Sequence, residues 1–429
     1  MIFVCCKSFS MKTSRRELLR KACFASGMLA MGPMLWAHTN PASPRNAVPH
    51  GFNKKQSNLA ALSKNMVEVS VVGDPETHVR IPAGCEMRLV AKSNETVINR
   101  GRYEWHFNPD GGACFPTEDQ GWVYVSNSEM KQKGTGGVGA IRFNQEGEII
   151  DSYSICQNTT NNCAGGITPW HTWLTCEEVA EGYVYECDPL GKIPAKKIPS
   201  LGKFKHEAAA VDPKTGIVYL TEDEVDGCFY RYRPFTHTPG SKTDFQNGQL
   251  EVACMQEMKD TDIWQMYWLP ISKPEPDLSR YLPTRKQVKT AQVFKGGEGC
   301  WFHDSVVYFT TKHDNCVWAL DTHSQELIRI YDQARDQHFE PKLNDVDNLT
   351  VSAQGDIIVA EDGANMRLVV FNHQSKPFEF VNFLGHEKSE ICGPAFSPDG
   401  TRLYFSSQQG IKGEADDGRT YELRGPFFI

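Results

Sequence analysis

The feature that most constrains the fold of this chain is a repeat of a little under fifty residues. Each copy has an apolar strand, a turn with glycine, and a second strand of the type Val-Tyr-Leu-Thr that ends before a polar cluster. The second strands end at residues 126, 175, 221, 310, 360 and 406, so four of the five spacings lie between 46 and 50 residues. This spacing is typical of one four-stranded propeller blade. The sequence therefore predicts an all-β, six-bladed β-propeller.

Tight turns inside the repeat support this interpretation. Asp212–Gly216, Ser352–Gly355 and Ser397–Gly400 each lie between two strands of period two and carry turn-forming residues. The one long spacing indicates an insertion near 259–295, which we expect to lie on the surface and to pack through its aromatic residues. A β-sandwich or two small β domains would also contain short strands, but the regular period argues against them.

The first 40 residues are typical of an export signal. Arg15 and Arg16 precede a weakly apolar stretch, Ala22–Ala37, and a polar segment follows. This order resembles a twin-arginine signal, whereas the alternative is a basic N-terminal helix. The apolar stretch is shorter than the roughly 20 residues that span a bilayer, so we expect no stable membrane anchor. The pattern predicts the twin-arginine export machinery as a partner, a periplasmic or secreted protein, and a propeller over residues 41–429.

Net charge and cysteine content indicate which ligands this chain can bind. With 45 Lys+Arg against 53 Asp+Glu, the formal net charge is −8, so binding of nucleic acid by counterion release is not expected. Three of the 14 cysteines lie in the leader, and the odd number that remains cannot all pair. Their spacing shows no compact disulfide framework. At least one cysteine is therefore expected to be free or bound to a metal.

Acidic residues recur at one position of the repeat. In a propeller, the start of each first strand and the end of each second strand meet at the same mouth of the central channel. The residues at these places include Asn127–Glu129, Asn162–Cys163, Glu177–Glu178, Lys205–Glu207, Glu222–Glu224, Glu298, Lys312–Asp314, Asp347–Asn348, Glu361–Asp362, Glu390 and Gln408–Gln409. Ionised carboxylates crowded into one small site repel each other, and multivalent cations would compensate this charge.

The donor atoms divide into two sets. Oxygen donors suit hard Ca²⁺, which takes about 6 to 8 oxygen ligands. This set comprises Asp347, Asn348, Glu361 and Asp362. Cys163 together with Glu178, Glu207 or Glu298 suits a transition metal instead. Taken singly, such acids are usually solvated and such a cysteine is as often a core residue, but their recurrence predicts a polymetallic site at the mouth.

Several motifs in this chain are long and specific. In chain order they are Asn162–Trp170, Trp173–Glu178, Lys205–Ala208, Val218–Glu224, Gly297–Gly299, Asp347–Leu349 and Glu361–Gly363. They closely resemble the PhoX family of twin-arginine-exported bacterial alkaline phosphatases. The resemblance covers roughly Trp105 to Gly410. It departs from the family in the last repeat, where Ser407–Gly410 stands in place of an Asn-x-Gln-His-Pro-Gly motif, so activity could have diverged while the propeller was kept.

The resemblance implies a six-bladed propeller whose mouth holds ferric iron and calcium. The implied iron ligands are Cys163, Glu178, Glu207 and Glu298. The implied calcium ligands are Glu222, Glu224, Asp347, Glu361 and Asp362.

The leading hypothesis is an exported metal-dependent phosphatase that acts on small phosphate monoesters. Cations at the mouth would activate water, and Arg367 or Lys312 would neutralise the charge that develops on phosphorus. One rival is a calcium-dependent propeller hydrolase of lactones or esters with His206 as general base, in which Cys163 has no role. Another rival is a non-catalytic exported metal-binding propeller, because fold alone does not define function.

Overall fold

The computed structural model describes residues 56–99, 101–258, 262–337, 340, 342–372 and 377–429. The predicted export signal lies outside the described residues. Within them the chain is built from β-strands and one short α-helix, α1 (Leu59–Leu62), which confirms the all-β prediction. No helix in these ranges is long and apolar enough to cross a membrane.

Twenty-seven strands follow one another along the described part of the chain. The strands are β1 (Met66–Val71), β2 (Asp74–Pro82), β3 (Glu86–Lys92), β4 (Pro109–Pro116), β5 (Trp122–Ser128), β6 (Gly136–Phe143), β7 (Ile149–Thr159), β8 (Asn162–Ile167), β9 (Trp173–Glu177), β10 (Val184–Cys187), β11 (Lys196–Lys197), β12 (His206–Val211), β13 (Val218–Glu222), β14 (Phe229–Pro234), β15 (Gly248–Glu257), β16 (Ile263–Pro270), β17 (Gly297–His303), β18 (Val306–Thr311), β19 (Cys316–Asp321), β20 (Glu326–Asp332), β21 (Val346–Val351), β22 (Ile357–Glu361), β23 (Arg367–Phe371), β24 (Pro377–Leu384), β25 (Ile391–Phe396), β26 (Arg402–Ser407) and β27 (Arg419–Arg424). Single turns of 3-10 helix lie at Pro199–Leu201, Thr284–Lys286, Gly363–Asn365 and Ala415–Asp417.

The described strands form five antiparallel sheets rather than six separate ones. Three are four-stranded, in the orders β4-β5-β6-β7, β8-β9-β10-β11 and β25-β26-β27-β3. A six-stranded sheet has the order β1-β2-β24-β23-β22-β21. The fifth has nine strands, in the order β12-β13-β14-β15-β16-β20-β19-β18-β17.

Strand β16 explains the nine-stranded sheet. It pairs with β15 on one side and with β20 on the other, so it joins two meanders that would otherwise be separate. This strand lies in the segment 259–295, which we expected to be a surface insertion. Its alternating side chains put Met266 into a core cluster while Tyr267 faces solvent. This part of the segment is therefore a strand and not a loop, because its side chains alternate with period two and it pairs with the edges of two meanders.

Six strands surround the centre of the molecule. β4, β8, β12, β17, β21 and β25 contact one another in that cyclic order, and β25 returns to β4. Each of them begins a meander that runs outward. The predicted second strands are the next in each meander, β5, β9, β13, β18, β22 and β26, and all end within two residues of the predicted positions. The central ring is therefore built from the repeats seen in the sequence.

The three predicted turns are present between β12 and β13, β21 and β22, and β25 and β26. At the first, Asp212 accepts hydrogen bonds from the Lys214 backbone N–H at 2.8 Å and from Thr215 Oγ1 at 2.6 Å. The turn then ends on Gly216, whose φ of 68° is costly for residues with a Cβ. Local turn chemistry thus sets the register of these hairpins.

The ring is closed by segments from both ends of the described chain. β3 completes the last sheet by pairing with β27. A buried ion pair links β27 to β2. Arg419 Nη1 lies 2.7 Å from Asp74 Oδ1, and its Nη2 lies 3.0 Å from Asp417 Oδ1. The Arg419 side chain is 2% exposed. Because the pair is buried, losing one partner would leave uncompensated charge in the interior.

We predict that Arg419→Met lowers the free energy of unfolding by about 3–5 kcal/mol, because Asp74 and Asp417 stay buried without their cation. Arg280→Met is the matched control, since Arg280 is 77% exposed and also pairs with an aspartate. The control should change stability by less than about 0.5 kcal/mol. Denaturant unfolding of both variants measures the difference in the free energy of unfolding. Equal effects of the two substitutions would show that the buried ion pair does not contribute more than an exposed one.

Candidate metal centre

A bulge at the start of five central strands aims one side chain into the channel. In each strand the pairing register shifts so that two residues face one on the neighbouring strand. The first residue of each bulge is able to bind a metal. These five residues are Asp110, Cys163, Glu207, Glu298 and Asp347. Such bulges re-aim side chains next to functional sites. The sixth strand, β25, has its bulge one position later, at Gly393 and Pro394.

Side chains of neighbouring sheets hold the bulges in place. Asn127 Nδ2 donates to the Cys163 carbonyl at 3.0 Å. Thr221 Oγ1 donates to the Glu298 carbonyl at 2.6 Å, and Thr310 Oγ1 donates to the Asp347 carbonyl at the same distance. Each donor lies on the second strand of one meander and each acceptor on the first strand of the next. The contacts between meanders therefore orient the candidate ligands.

Three of the bulge residues, Cys163, Glu298 and Asp347, line a cavity of about 670 Å³ at one end of the ring. Next to the cavity, small residues of the same bulges allow the central strands to approach one another closely. Gly111, Ala164, Ala208 and Gly299 border a space of only about 20 Å³. A Cβ on Gly299 would lie 2.4 Å from the Leu349 backbone nitrogen, so this approach requires glycine. Small residues therefore let the described central strands approach closely next to the cavity.

Three groups of donor atoms meet in the cavity. Within each group the candidate atoms all lie within 4.8 Å of one another. The groups are Asp110, Glu129 and Cys163; Cys163, Glu178 and Glu207; and Glu207, Glu298 and Asp347. Cys163 and Glu207 each belong to two groups, so the three form one continuous cluster. This geometry suits more than one cation.

Burial makes the charged forms of these groups unfavourable. It raises the pKa of Glu207 well above its usual range, and the nearby charge of Glu298 raises it further. Burial and the charges of Glu129 and Asp347 act in the same way on the pKa of Asp110. Burial also raises the pKa of the Cys163 thiol, with the carboxylate of Asp110 adding to the effect. Without a cation, the protein would have to hold several of these groups protonated.

Glu207 gives the clearest test of whether a cation fits. It is fully buried, and neither carboxylate oxygen has a hydrogen-bond partner among the described residues. Buried carboxylate oxygens are normally hydrogen-bonded or bound to metal, because leaving them without a partner is costly. The neighbouring thiol and carboxylates offer further ligands within reach. The residues present therefore fit a bound metal.

Two lysines add positive charge to the cavity wall. Lys205 Nζ lies 2.8 Å from Glu178 Oε1 and 2.5 Å from Asp223 Oδ2. Lys312 Nζ lies 2.5 Å from Asp362 Oδ2. Their ammonium groups remain charged, since the surrounding carboxylates raise the pKa of both lysines. They can donate hydrogen bonds to an anion that enters the cavity.

Several predicted site residues line this cavity, namely Cys163, Glu178, Glu298, Asp347, Asp362 and Lys312, with Glu207 directly behind them. Asn348 lies in the ring, but its amide is engaged. Its Oδ1 accepts from the Gly393 backbone N–H at 2.8 Å, and its Nδ2 donates to Asp347 Oδ1 at 2.9 Å. Its role here is to link two strands and to orient Asp347.

The structure does not bring Glu222, Glu224 and Glu361 to the cavity, because arginines hold them. Arg285 contacts Glu222 at 3.2 Å and Glu224 at 3.3 Å. Arg367 binds Glu361 through Nε at 2.6 Å and Nη2 at 2.9 Å. The guanidinium of Arg367, expected to neutralise developing charge, is thus committed to a structural ion pair.

His206 also lies away from the cavity-lining residues that the structure describes. It is fully buried, its Nε2 lies 3.1 Å from the Gly202 carbonyl oxygen, and its ring stacks on Phe204 with centroids 3.6 Å apart. Burial lowers its pKa to about 3. A histidine in this position is not placed to act as the general base that the lactonase alternative requires.

Of four further residues at the site, the sequence placed Glu129, Glu390 and Gln408 at the mouth without assigning them to a metal, and it did not single out Asp110. Asp110, Glu129 and Glu390 border the cluster, and Gln408 donates to Asp110 Oδ2 at 2.7 Å and to Glu129 Oε2 at 2.6 Å. A signal for Asp110 was present, since it precedes two small residues at the strand start just as Cys163 does. Gln408 belongs to the divergent last repeat, so that repeat takes part in the site through its amide.

A buried hydrogen-bond chain supports the loop that carries Glu390. Ser389, on the cavity wall, lies 3.0 Å from Ser407, and Ser407 Oγ lies 2.8 Å from His386 Nδ1. The other ring nitrogen of His386 lies 3.1 Å from Thr77 Oγ1, on β2. The N-terminal strands therefore help to fix one side of the cavity.

A cavity that gathers carboxylates, a thiol and two ammonium groups has donor groups for metal ions and positive charge for an anionic ligand, a combination typical of metal-dependent hydrolases. The family model for alkaline phosphatase PhoX matches residues 96–183, 180–329 and 312–410. The chain belongs to the PhoX alkaline phosphatase family, and it is a phosphatase, a hydrolase of phosphoric esters. No curated protein matches the sequence.

Two solved structures share the fold of this chain, namely the first two of the following three. PhoX of Pseudomonas fluorescens, in complex with the transition-state analogue vanadate, superposes with a TM-score of 0.65 at 15% identity, covering 84% of this chain and 97% of that one. A protein of unknown function from Bacteroides thetaiotaomicron gives a TM-score of 0.50 at 9% identity, covering 81% of each chain. XC5397 from Xanthomonas campestris, described as a gluconolactonase, gives 0.46 at 12% identity, covering 90% of this chain and 99% of that one.

The raised pKa values predict how the metal-free protein responds to pH. Burial raises the pKa of Asp347 to about 7 and that of Glu178 to about 8. The unfolded chain releases these protons near pH 4, so the folded state binds more protons between about pH 4 and 8. Stability contributed by these groups is present below this range and is lost as pH rises through the folded pKa values.

The melting temperature of chelator-treated protein should therefore fall between pH 5 and pH 8 and level off above. Glu178→Gln should flatten part of this slope because it removes one titrating group. Glu95→Gln is the control, since Glu95 is 63% exposed. A metal-free protein whose melting temperature stays constant across this range would contradict the prediction.

Proposed function

We propose that this chain is an exported phosphatase that hydrolyses small phosphate monoesters at a site holding ferric iron and calcium. The observation that carries the proposal is Glu207, a fully buried carboxylate whose two oxygens lack hydrogen-bond partners among the described residues, beside a thiol and three further acids. At neutral pH, cations that compensate the charge of such a cluster stabilise the folded protein. The family to which the chain belongs supports phosphate esters as the substrate class.

The fold we propose for this enzyme is a six-bladed β-propeller. Six central strands contact one another in a closed cycle, and each begins a meander. In this interpretation the nine-stranded sheet is two blades joined by β16, and the six-stranded sheet is one blade extended by β1 and β2. The last blade would be closed by β3, which comes from the other end of the chain.

The donor chemistry supports a division of the site between two metals. Cys163 with Glu178, Glu207 and Glu298 would hold iron, since a thiolate among carboxylates favours a transition metal. Asp347 and Asp362, with the nearby Asp110, Glu129 and Glu390, offer oxygen alone, as Ca²⁺ prefers. When bound, the cations would stabilise negative charge on phosphoryl oxygens and lower the pKa of water.

The chain's own residues would bind and orient the ester. Lys312 and Lys205, on the cavity wall, would donate hydrogen bonds to the phosphoryl oxygens, which carry the most charge in the transition state. The floor of small residues would stop the substrate at the depth of the ligand cluster. The alcohol would leave through the same mouth by which the ester entered.

The sharpest test concerns Cys163. We predict that Cys163→Ser loses iron and lowers kcat/KM on a phosphate monoester by more than about 100-fold, because a serine hydroxyl does not replace a thiolate ligand. Elemental analysis, the visible charge-transfer band of ferric thiolate and an activity assay measure these effects on the same sample.

Cys176→Ser is the matched control, because Cys176 lies opposite the same bulge but in the core. It should retain iron and activity. A Cys163→Ser protein with full iron content and an unchanged phosphatase rate would remove the thiolate from the site. Wild-type protein that contains calcium alone would favour the lactone or ester hydrolase instead.

Export should depend on the arginine pair of the predicted signal. Replacing Arg15 and Arg16 by lysine removes the feature that distinguishes a twin-arginine signal, so periplasmic accumulation should be lost. Arg20→Lys is the control, since it makes the same change outside the pair and should not alter export. Immunoblots of periplasmic and cytoplasmic fractions measure the outcome, and normal export of the double variant would contradict this part of the proposal.

A further inference from the structure

Two cysteines face each other between the first two sheets. Cys156 lies on β7 and Cys187 is the last residue of β10. Both belong to one buried cluster, with exposed fractions of 5% and 0%. The two side chains are close enough for each thiol to affect the pKa of the other. Two sulfur atoms on different sheets are thus neighbours, although they are far apart in sequence.

Contacts on either side fix this arrangement. Tyr153 Oη, also on β7, donates to the Pro189 carbonyl at 3.0 Å, two residues beyond Cys187. Gly191 packs against the same strand, where an added Cβ would lie 3.2 Å from the ring of Tyr153 and 3.6 Å from Ile155. The turn after β10 is therefore docked along β7, and the two cysteines are held together by the fold itself.

The two cysteines differ in position. Cys156 lies on the edge strand β7 and is 5% exposed, whereas Cys187 is fully buried. The thiolate is the nucleophile in disulfide exchange. Cys156 is therefore the thiol that an external disulfide reaches first, and Cys187 is placed to attack second.

We propose that Cys156 and Cys187 form a disulfide bond when the folded protein meets an external disulfide oxidant. Cys156 attacks one sulfur of the oxidant and releases a thiolate, and Cys187 then attacks the Cys156 sulfur of the mixed disulfide and releases the second. The two cysteines lose two electrons and two protons, and the oxidant gains them as two thiols. That such an oxidant is met after transport rests on the proposed export.

The position of β7 explains how a buried pair can be reached. It is the last strand of its sheet, and its pairing with β6 has three register irregularities, one of them beside Cys156. An edge strand with irregular pairing opens locally at lower cost than a central one. Cys156 is consequently accessible to a small disulfide without global unfolding.

The bond would bear on the candidate metal centre. It closes a loop of roughly 30 residues, and cross-links of this length restrict the unfolded chain. That loop contains Cys163 and Glu178, two of the proposed iron ligands. The bond would also pair two thiols while leaving Cys163, whose sulfur contacts Asp110, free for the metal.

The experiment exposes reduced, purified protein to oxidised glutathione, blocks remaining thiols under denaturing conditions, and maps peptides without reduction. We expect one linked peptide joining Cys156 to Cys187 and a melting temperature higher by about 3 °C or more. Cys156→Ser and Cys187→Ser should each abolish both effects. Cys254→Ser, which alters a buried cysteine that contacts Thr290 at 3.7 Å, should keep the linked peptide.

Absence of the linked peptide would overturn the proposal, whatever other thiols the oxidant modifies. Glutathione that remains attached to Cys156 would overturn it as well, because Cys187 would then be out of reach. Neither readout uses phosphatase activity or bound metal. A failure here is therefore distinct from a failure of the proposed function.

Discussion

The main physical constraint on this structure is the repulsion between carboxylates that are buried at one end of a closed ring of strands. Five central strands each aim a donor into the same cavity, and burial opposes the charge that each donor would carry. Burying such a cluster of carboxylates lowers the stability of the folded protein, and a bound cation offsets this cost. The lysines on the wall neutralise part of the charge, while Glu207 remains without any partner among the described residues.

The rest of the fold serves to hold this unfavourable arrangement. Bulges turn the second residue of five central strands toward the cluster, and hydroxyl or amide groups of the adjacent sheet bind three of the bulge carbonyls. Small residues behind the bulges allow the strands to approach closely. A buried arginine and its two aspartates link the last sheet to β2, so the ring is held by contacts that come from both ends of the described chain.

Much of the fold was predictable because the repeat encodes local structure. Second strands, hairpin turns and the mouth position of the acids follow from period-two patterns and turn residues. The exceptions have a common cause. Glu222 and Glu361 end their strands as the motif requires, but Arg285 and Arg367 reach them from other segments. β16 has the pattern of a strand, yet whether it bridges two meanders depends on which sheet edges lie open beside it.

The sequence by itself determined the all-β class, the repeats that build the central ring and the position of Cys163, Glu207, Glu298 and Asp347 at the starts of central strands, because these rest on patterns within one repeat. Tertiary structure alone decided which acids share the cavity, which are bound by arginine, and that Asp110 joins the cluster and binds Gln408. Those outcomes depend on distances between segments far apart in the chain. Charge interactions act through space, so residues of equal sequence signature line the cavity or form structural ion pairs according to their neighbours in the folded ring.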